Sequence, residues 1–391
     1  MKRVLVLDAA QRSALAVTRS LGRQGADVYT AEEGTTALAS CSRHSKQFFS
    51  YPSPRLQPDN FVCSLAELVR DQRIDMLLPM TELTTTLILN HKGEFNNTTI
   101  PLADPSRVES LMDKCTLMRK AKTLGVPVPR TWYSNENHSP PDQDEFDEYP
   151  VILKPGKSWN YLGDQWQRAG VHLIDNYNTL LESIQTDPVY QSYPYMVQER
   201  VDGEGQGVFA LYDQGRPLAF FAHRRLREKP PSGGVSVLSE SIAVDPVLEG
   251  HARRLLDDAG WHGVAMVEFK VAADGTAYLM EINTRFWGSL QLAVDAGVDF
   301  PALLYKMANG ENPATFTDYR TGRRLRWLLG DLDNLYLTLR DKDSYTPGEK
   351  LDAIMKFMTP SPFRTRHEVN RWSDPGPGWC ELKQYFRDCL G

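Results

Sequence analysis

Over residues 1–105, short apolar runs alternate with stretches of helical period. Val4–Leu7, Asp27–Thr30 and Met76–Pro79 predict strands. Ser13–Arg23 (with apolar Leu15, Ala16 and Val17), Phe61–Arg70 and Glu82–Asn90 predict helices. Strands that alternate with helices imply a parallel sheet. Ser106–Leu124 reads as one amphipathic helix closed by Gly125, and the Val-Pro-Val-Pro129 run after it must be extended. The polar segment Asn135–Glu148 reads as a loop, Tyr149–Lys154 as a strand, and Gly156–Gly170 as a Gly- and Trp-bearing loop. Tyr195–Val201 is a further strand before the glycine-rich Gly203–Gly207. Val208–Tyr212 and Leu218–Ala222 predict a hairpin about Asp213–Arg216, followed by a loop at Pro230–Gly234. Pro246–Ala259 predicts a helix and Leu290–Gly310 one or two more. Residues 320–391 hold helical stretches around Leu325–Leu339 and Lys350–Phe357, then a Pro/Gly/Trp-rich segment.

The sharpest pattern lies between Trp261 and Arg285. Alternating runs Val264–Val271 and Ala277–Thr284 flank Asp274-Gly275, a strong hairpin signal. With Asp274 and Gly275 as the two central turn residues, Ala273 pairs with Thr276 and Glu268 falls opposite Glu281. Asn283 shares the face of Glu281, because side chains alternate along a strand. Carboxylates opposed at roughly 5 Å between Cβ atoms destabilise a sheet unless something positive lies between them. Two carboxylates and an amide are oxygen ligands suited to Mg²⁺, which usually arrives with phosphates. Arg285 continues the same face and suits a phosphate oxygen. The competing reading is an exposed polar face whose charges never meet. A three-residue loop would also shift the register and break the exact opposition.

Composition narrows the class. The 391 residues suggest two or three domains, and 41% hydrophobic with 24% charged content is that of a globular protein with a sizeable core. A net charge of −6 argues against a nucleic-acid partner. Apolar runs are too short to span a bilayer, and Asp8 interrupts the only N-terminal one, so neither membrane insertion nor a cleavable signal is expected. Five scattered cysteines (Cys41, Cys63, Cys115, Cys380, Cys389) without C-x-x-C spacing read as reduced thiols of a cytoplasmic protein, not as a zinc site. The turn Asp8–Ser13 lacks G-x-G-x-x-G, which leaves a dinucleotide-binding domain unsupported. Gly156-Lys-Ser158 resembles a Walker A end, but its first glycine would have to stand at Val151. Gly203–Gly207 is one residue short of a dinucleotide fingerprint.

What remains is a constellation. Lys114 follows Asp113 at a helix head, Lys154 ends an apolar strand, and Gln198-Glu199-Arg200-Val201 ends another just before glycines. Together with Glu268, Glu281, Asn283 and Arg285, these supply the cations, backbone N–H groups and cation site that a triphosphate needs. The order and spacing resemble the ATP-grasp superfamily of carboxylate–amine/thiol ligases, which includes biotin carboxylase and carbamoyl-phosphate synthetase. The resemblance covers roughly residues 1–310 and rests on Asp-Lys114 with Gly-Val-Pro-Val-Pro129, Val-Ile-Leu-Lys-Pro155, Val-Gln-Glu-Arg-Val-Asp-Gly-Glu204, and Val-Glu-Phe-Lys270 with Met-Glu-Ile-Asn-Thr-Arg285.

The resemblance implies an α/β ATP-grasp fold: an N-terminal parallel-sheet (pre-ATP-grasp) domain over 1–105, an ATP-grasp domain over 106–315 with a lid at about 130–200, and a small C-terminal helical extension over 316–391. It also implies that Lys114 and Lys154 hold the ATP phosphates. Gln198, Glu199, Arg200 and Val201 would form the adenine hinge, with Glu204 on the ribose. Glu268, Glu281 and Asn283 would bind Mg²⁺, with Mn²⁺ as an alternative, and Arg285 with Lys154 would act on the transferring phosphoryl group. The family's compact Gly/Ser-rich flap is replaced by Lys157–Arg168, with two Trp and one Tyr, and its Asn-Pro-Arg by Asn-Thr-Arg285. The cationic segment His223–Lys229 on a large loop, with Gly233 and Gly234, is a candidate for a substrate anion through His223, Arg224 and Arg227. Trp287 and Ser289 stand where the family places substrate. The expected activity is an MgATP-dependent ligase that phosphorylates a carboxylate and joins it to an amine, with an amino acid as one candidate. The partners are then small molecules, and symmetry base rates slightly favour a homodimer. A bicarbonate-activating carboxylase and a non-catalytic ATP-binding module are the alternatives.

Overall fold

The computed structural model describes residues 2–390 except 147, 314, 316, 317 and 359–363, with the side chains of 389 and 390 also outside it. The first apolar runs form a parallel sheet in the order β3-β2-β1-β4, from β1 (Arg3–Val6), β2 (Asp27–Glu32), β3 (Gln47–Ser50) and β4 (Met76–Leu78). Helix α1 (Arg12–Arg23) covers one face, while α2 (Pro58–Asp71) and α3 (Glu82–Asn90) cover the other. Burial on both faces explains why Val4, Leu5 and Val6 form an unbroken apolar run. Strand β3 was not expected, because Gln47–Ser50 is an edge strand with little buried surface.

The single helix expected over Ser106–Leu124 is two, α4 (Pro105–Met112) and α5 (Lys114–Thr123). Asp113 is extended and its side chain accepts the Thr116 N–H at 2.7 Å, so a capping carboxylate breaks the periodic run. The break sets Lys114 at the first position of α5.

A second, antiparallel sheet runs β5-β10-β6-β9, from β5 (Thr131–Tyr133), β6 (Val151–Pro155), β9 (His172–Ile174) and β10 (Tyr195–Glu199). Between β6 and β9 the segment read as a loop is a hairpin, β7 (Trp159–Leu162) with β8 (Gln165–Arg168). Its alternating aromatics support strand pairing, a signal that the flanking glycines concealed. Helices α6 (Tyr177–Thr186) and α7 (Pro188–Ser192) pack under this sheet.

The third sheet has seven strands in the order β15-β14-β11-β12-β13-β16-β17. It is built from β11 (Glu204–Asp213), β12 (Arg216–Lys229), β13 (Val235–Ile242), β14 (Gly263–Val271), β15 (Ala277–Asn283), β16 (Arg324–Arg326) and β17 (Thr365–His367). Gly203–Gly207 and His223–Lys229, both expected outside strands, lie almost wholly within β11 and β12. One face packs on α8 (Pro246–Asp258) with α4 and α5, and the other on α9 (Leu290–Ala296) and α10 (Phe300–Ala308). Helix α1 shares the core with α9 and α10, so the parallel sheet and the seven-stranded sheet are packed against a common apolar layer.

The C-terminal extension is helical, with α11 (Leu328–Arg340), α12 (Pro347–Met358) and α13 (Gly376–Leu390), and it also supplies β16 and β17. It straps back onto the N-terminal sheet. Arg19, 2% exposed, donates to Asp374 Oδ2 at 2.8 Å and to the carbonyls of Glu368 and Val369. Asp374 also accepts from Ser42 Oγ and the Arg43 N–H. The strap carries a disulfide, Cys41–Cys380, with Cα atoms 6.5 Å apart. The reading of all five cysteines as reduced thiols is therefore corrected for these two, since sequence spacing cannot reveal a pair 339 residues apart. Cys63 and Cys115 are free thiols, and the Cys389 side chain lies outside the described residues.

The buried pair yields a stability prediction. Arg19→Met is expected to destabilise the fold by about 3–5 kcal/mol, because it leaves the Asp374 carboxylate buried without its cation. Urea denaturation checks this, and Asp374→Leu added to Arg19→Met should recover a large part of the loss.

Candidate functional site

Strand β14 places Glu268 directly opposite Glu281 on β15, but by a different route from the one the sequence suggests. The turn holds three residues, Ala273–Gly275, and closes where the Ala272 N–H donates to the Thr276 carbonyl at 2.9 Å. Gly275 takes φ 87°, the left-handed conformation that such a loop requires. Near the turn the register is therefore shifted, with Val271 opposite Ala277 and Phe269 opposite Leu279. A bulge at Met280 adds one residue to β15 and restores the pairing of Glu268 with Glu281. Two departures from a simple hairpin cancel at the carboxylates.

Cations surround the pair. Lys114 Nζ lies 3.8 Å from Glu281 Oε2 and donates to Ser158 Oγ at 3.1 Å. Arg225 Nη2 lies 2.5 Å from Glu268 Oε2, and its Nη1 donates to Glu228 at 2.7 Å. Asn283 Nδ2 donates to Glu281 Oε1 at 3.3 Å, and Arg285 Nη1 to the Phe286 carbonyl at 2.9 Å. Burial disfavours ionisation of Glu281, but the charges of Lys114, Lys154, Arg225 and Arg285 prevail and hold its carboxyl below the ordinary range. Glu268 is pushed up by burial and by Glu281, against the pull of Arg225. Lys154, at the end of β6, has its ammonium brought down to about 8 by burial, against the Glu281 charge.

The other expected residues are distributed unevenly. Gln198 on β10 is buried, donates to Thr131 Oγ1 at 2.9 Å, and leaves its Oε1 without a partner. Glu199 folds back onto the Arg130 N–H, Arg200 pairs with Asp202, and the Val201 carbonyl accepts from Lys270. Glu204 is exposed at the start of β11, 3.9 Å from Arg224. Because 223–229 is strand and not loop, its side chains divide between faces. His223 and Arg225 face the carboxylates, Arg224 pairs with Glu240, and beyond a bulge Arg227 pairs bidentately with Asp331. Period-2 reading of 223–229 would have grouped Arg225 with His223, which the loop assignment hid, but it would have included Arg227 as well, which the bulge turns away.

One cleft of about 850 Å³ gathers part of this set, while Lys154, Gln198, Glu199, Arg200, Val201, Glu204, Arg224 and Arg227 do not line it. Lys114, Arg225, Glu268, Glu281, Asn283 and Arg285 form one wall, and Asp8, Arg12, Glu32 and Glu82, at the C-terminal ends of the parallel strands, face it. Sequence reasoning missed these four, although ligands of open parallel sheets sit beyond the carboxyl ends of the strands. Gly234, Trp287 and Ser289 also line the cleft; Gly233 does not. His223 and Trp287 pack on Phe209 at 4.7 and 4.4 Å, with both His223 ring nitrogens and Trp287 Nε1 buried and unpartnered. Burial and the Arg225 charge hold His223 neutral, at about 3.

No cluster of three His, Cys, Asp or Glu suited to a metal occurs among the described residues. The hairpin supplies two opposed carboxylates with an amide beside them, all oxygen donors next to a cationic wall. That set fits a hard cation that completes its shell with phosphate and water. No helix among the described residues is long and apolar enough to cross a membrane.

A family described as ATP-grasp in the biosynthetic pathway with Ter operon matches residues 191–330. No curated protein matches the chain in sequence. Among solved structures, the chain is similar to an L-amino acid ligase from Bacillus licheniformis, with TM-score 0.63, 15% identity, and coverage of 83% of this chain and 78% of the other. It is also similar to N5-carboxyaminoimidazole synthetase from Staphylococcus aureus complexed with ADP, with TM-score 0.63, 15% identity and coverage of 83% and 80%. A biotin carboxylase domain dimer of Hydrogenobacter thermophilus 2-oxoglutarate carboxylase, in complex with MgADP, ADP and bicarbonate, has TM-score 0.63, 14% identity and coverage of 83% and 73%.

Proposed function

We propose that this chain is an ATP-grasp enzyme, an ADP-producing ligase that phosphorylates a carboxylate with MgATP and joins it to an amine; the ATP-grasp family match over residues 191–330 and the fold shared with an L-amino acid ligase support the reading. The observation that carries this reading is the convergence of Glu268, Glu281, Asn283, Lys114 and Arg285 on one cleft. Lys114 and Lys154 hold the ATP phosphates, the end of β10 with Glu199 and Val201 receives adenine, and Glu204 the ribose. Glu268, Glu281 and Asn283 hold Mg²⁺, which when bound neutralises phosphate charge. Arg285 stabilises the transferring phosphoryl group, for which positioning and charge neutralisation are the main requirements. His223, Trp287 and Ser289 border the acid to be activated. Mn²⁺ suits the same ligands, and a homodimer in the cytoplasm completes the proposal.

The test is ADP release by the purified protein with MgATP, across pooled carboxylates and amines, with hydroxylamine as trap. Carboxylate-dependent hydroxamate establishes an acylphosphate and identifies the acid on deconvolution. Two of the similar structures are named for carboxylation chemistry, so bicarbonate forms a separate arm. ADP release with bicarbonate alone would replace the ligase reading by a carboxylase.

Lys154 gives a second check on the phosphate assignment. With its ammonium near 8, it is about half neutral at pH 8. Phosphates favour the charged form, so MgATP binding at pH 8 is expected to take up about half a proton and to weaken as pH rises further. Calorimetry in buffers of different ionisation enthalpy measures the uptake. Its absence would remove Lys154 from the phosphate site.

A further inference from the structure

A second cavity, of about 330 Å³, lies between α3 and α4 on one side and the β7–β8 hairpin on the other. Leu89 and Met112 line one wall, and Trp159, Tyr161 and Trp166 the other. The aromatic wall is held in place: the Trp166 N–H donates to the Arg55 carbonyl at 3.0 Å, and the Tyr193 hydroxyl donates to the Tyr161 carbonyl. Glu82 and Met112 border this cavity and also a narrow gap lined by Lys114, Glu281, Asn283 and Arg285. They form the partition between an apolar chamber and the carboxylate hairpin. The chamber's other carboxylates are engaged, Glu109 with Lys157 and Asp113 as the cap of α5. Glu82 accepts the Ser158 N–H at 3.2 Å through Oε1, and no cation pairs with it among the described residues.

We propose that this chamber is the acceptor subsite, and that it takes a primary amine with an aromatic or branched aliphatic body. The inference rests on the ligase reading above and names the second substrate's class. Glu82 receives the substrate ammonium and removes one proton from it. The free amine nitrogen then bonds to the acylphosphate carbonyl carbon while the bond from that carbon to the phosphate oxygen breaks. Phosphate leaves with the nitrogen's second proton as hydrogen phosphate, and the proton on Glu82 returns to solvent. A chamber of this size and lining matches one bulky apolar group, with the polar end at its single unpaired carboxylate.

Two measurements on the full chain test this. In calorimetry without nucleotide, phenethylamine binds at least about 10-fold more tightly than ethylamine, and Met112→Trp, which fills the chamber, removes that preference. In turnover, Glu82→Gln lowers the ratio of amide to hydroxamate by about 10²-fold at neutral pH, because hydroxylamine is already unprotonated there. The ratio recovers as pH approaches the amine's own pKa. Equal binding of the two amines, or an unchanged ratio in Glu82→Gln, overturns the proposal. Selective phenethylamine binding by a protein that forms no hydroxamate supports the chamber and removes the ligase reading instead.

Discussion

Glu281→Ala is expected to lower MgATP-dependent ADP release by about 10³-fold while leaving a folded protein. On the proposed reading the substitution deletes one of two carboxylate ligands and leaves Lys114 without the charge it faces at 3.8 Å. The fold should tolerate the change. Glu281 is 37% exposed on its side chain, so its removal opens no large cavity, and the attraction to Lys114 that is lost is partly offset by relief of the repulsion from Glu268 opposite. Thermal unfolding and ADP release measured on the same preparation separate the two effects. A folded variant with normal turnover would end the metal assignment, whereas a variant that unfolds would show that the hairpin needs Glu281 structurally.

Arg285→Ala is expected to cost about 10³-fold or more in kcat with a much smaller change in nucleotide affinity. The reason lies in when the guanidinium acts. It follows the carboxylate face of β15, is tied by one nitrogen to the Phe286 carbonyl, and borders the cleft beside Glu281 and Asn283. On the proposed reading, a donor held there meets charge that develops during transfer and contributes little to ground-state binding. Arg285→Lys should recover only part of the loss, because a lysine keeps the charge without the two-pronged geometry. Calorimetric MgATP affinity set beside single-turnover ADP formation distinguishes this role. A proportional loss of both would make Arg285 a nucleotide-binding residue.

Much of this site was legible because it is local. Asp113 and Lys114 are adjacent, Lys154 ends its apolar run, and Glu281, Asn283 and Arg285 follow one another on a strand, so spacing alone relates them. The facing of Glu268 and Glu281 was anticipated from a two-residue turn, yet the chain reaches it through a three-residue loop and a compensating bulge. That agreement came partly by cancellation. Arg225 was overlooked for the opposite reason: 223–229 holds so many charges that it reads as a solvated loop. Its strand pairing depends on β13, which the local pattern does not reveal, and on the part of β11 that precedes the predicted Val208–Tyr212 run.

The roles of Lys114 and Lys154 came from the family resemblance; from the sequence by itself came the alternating strands and helices of the first 105 residues and the carboxylate hairpin. These follow from periodicity and turn chemistry, which act between near neighbours in the chain. The tertiary structure alone decided the rest. It brought Asp8, Arg12, Glu32 and Glu82 to face the hairpin across the cleft, and it turned a Trp-bearing segment into a wall facing α3 and α4. It also locked the C-terminal segment onto α1 through Arg19 and Asp374. Those relations join residues hundreds of positions apart. They are set by which apolar faces must be buried together, a property of the packed chain that no local pattern encodes.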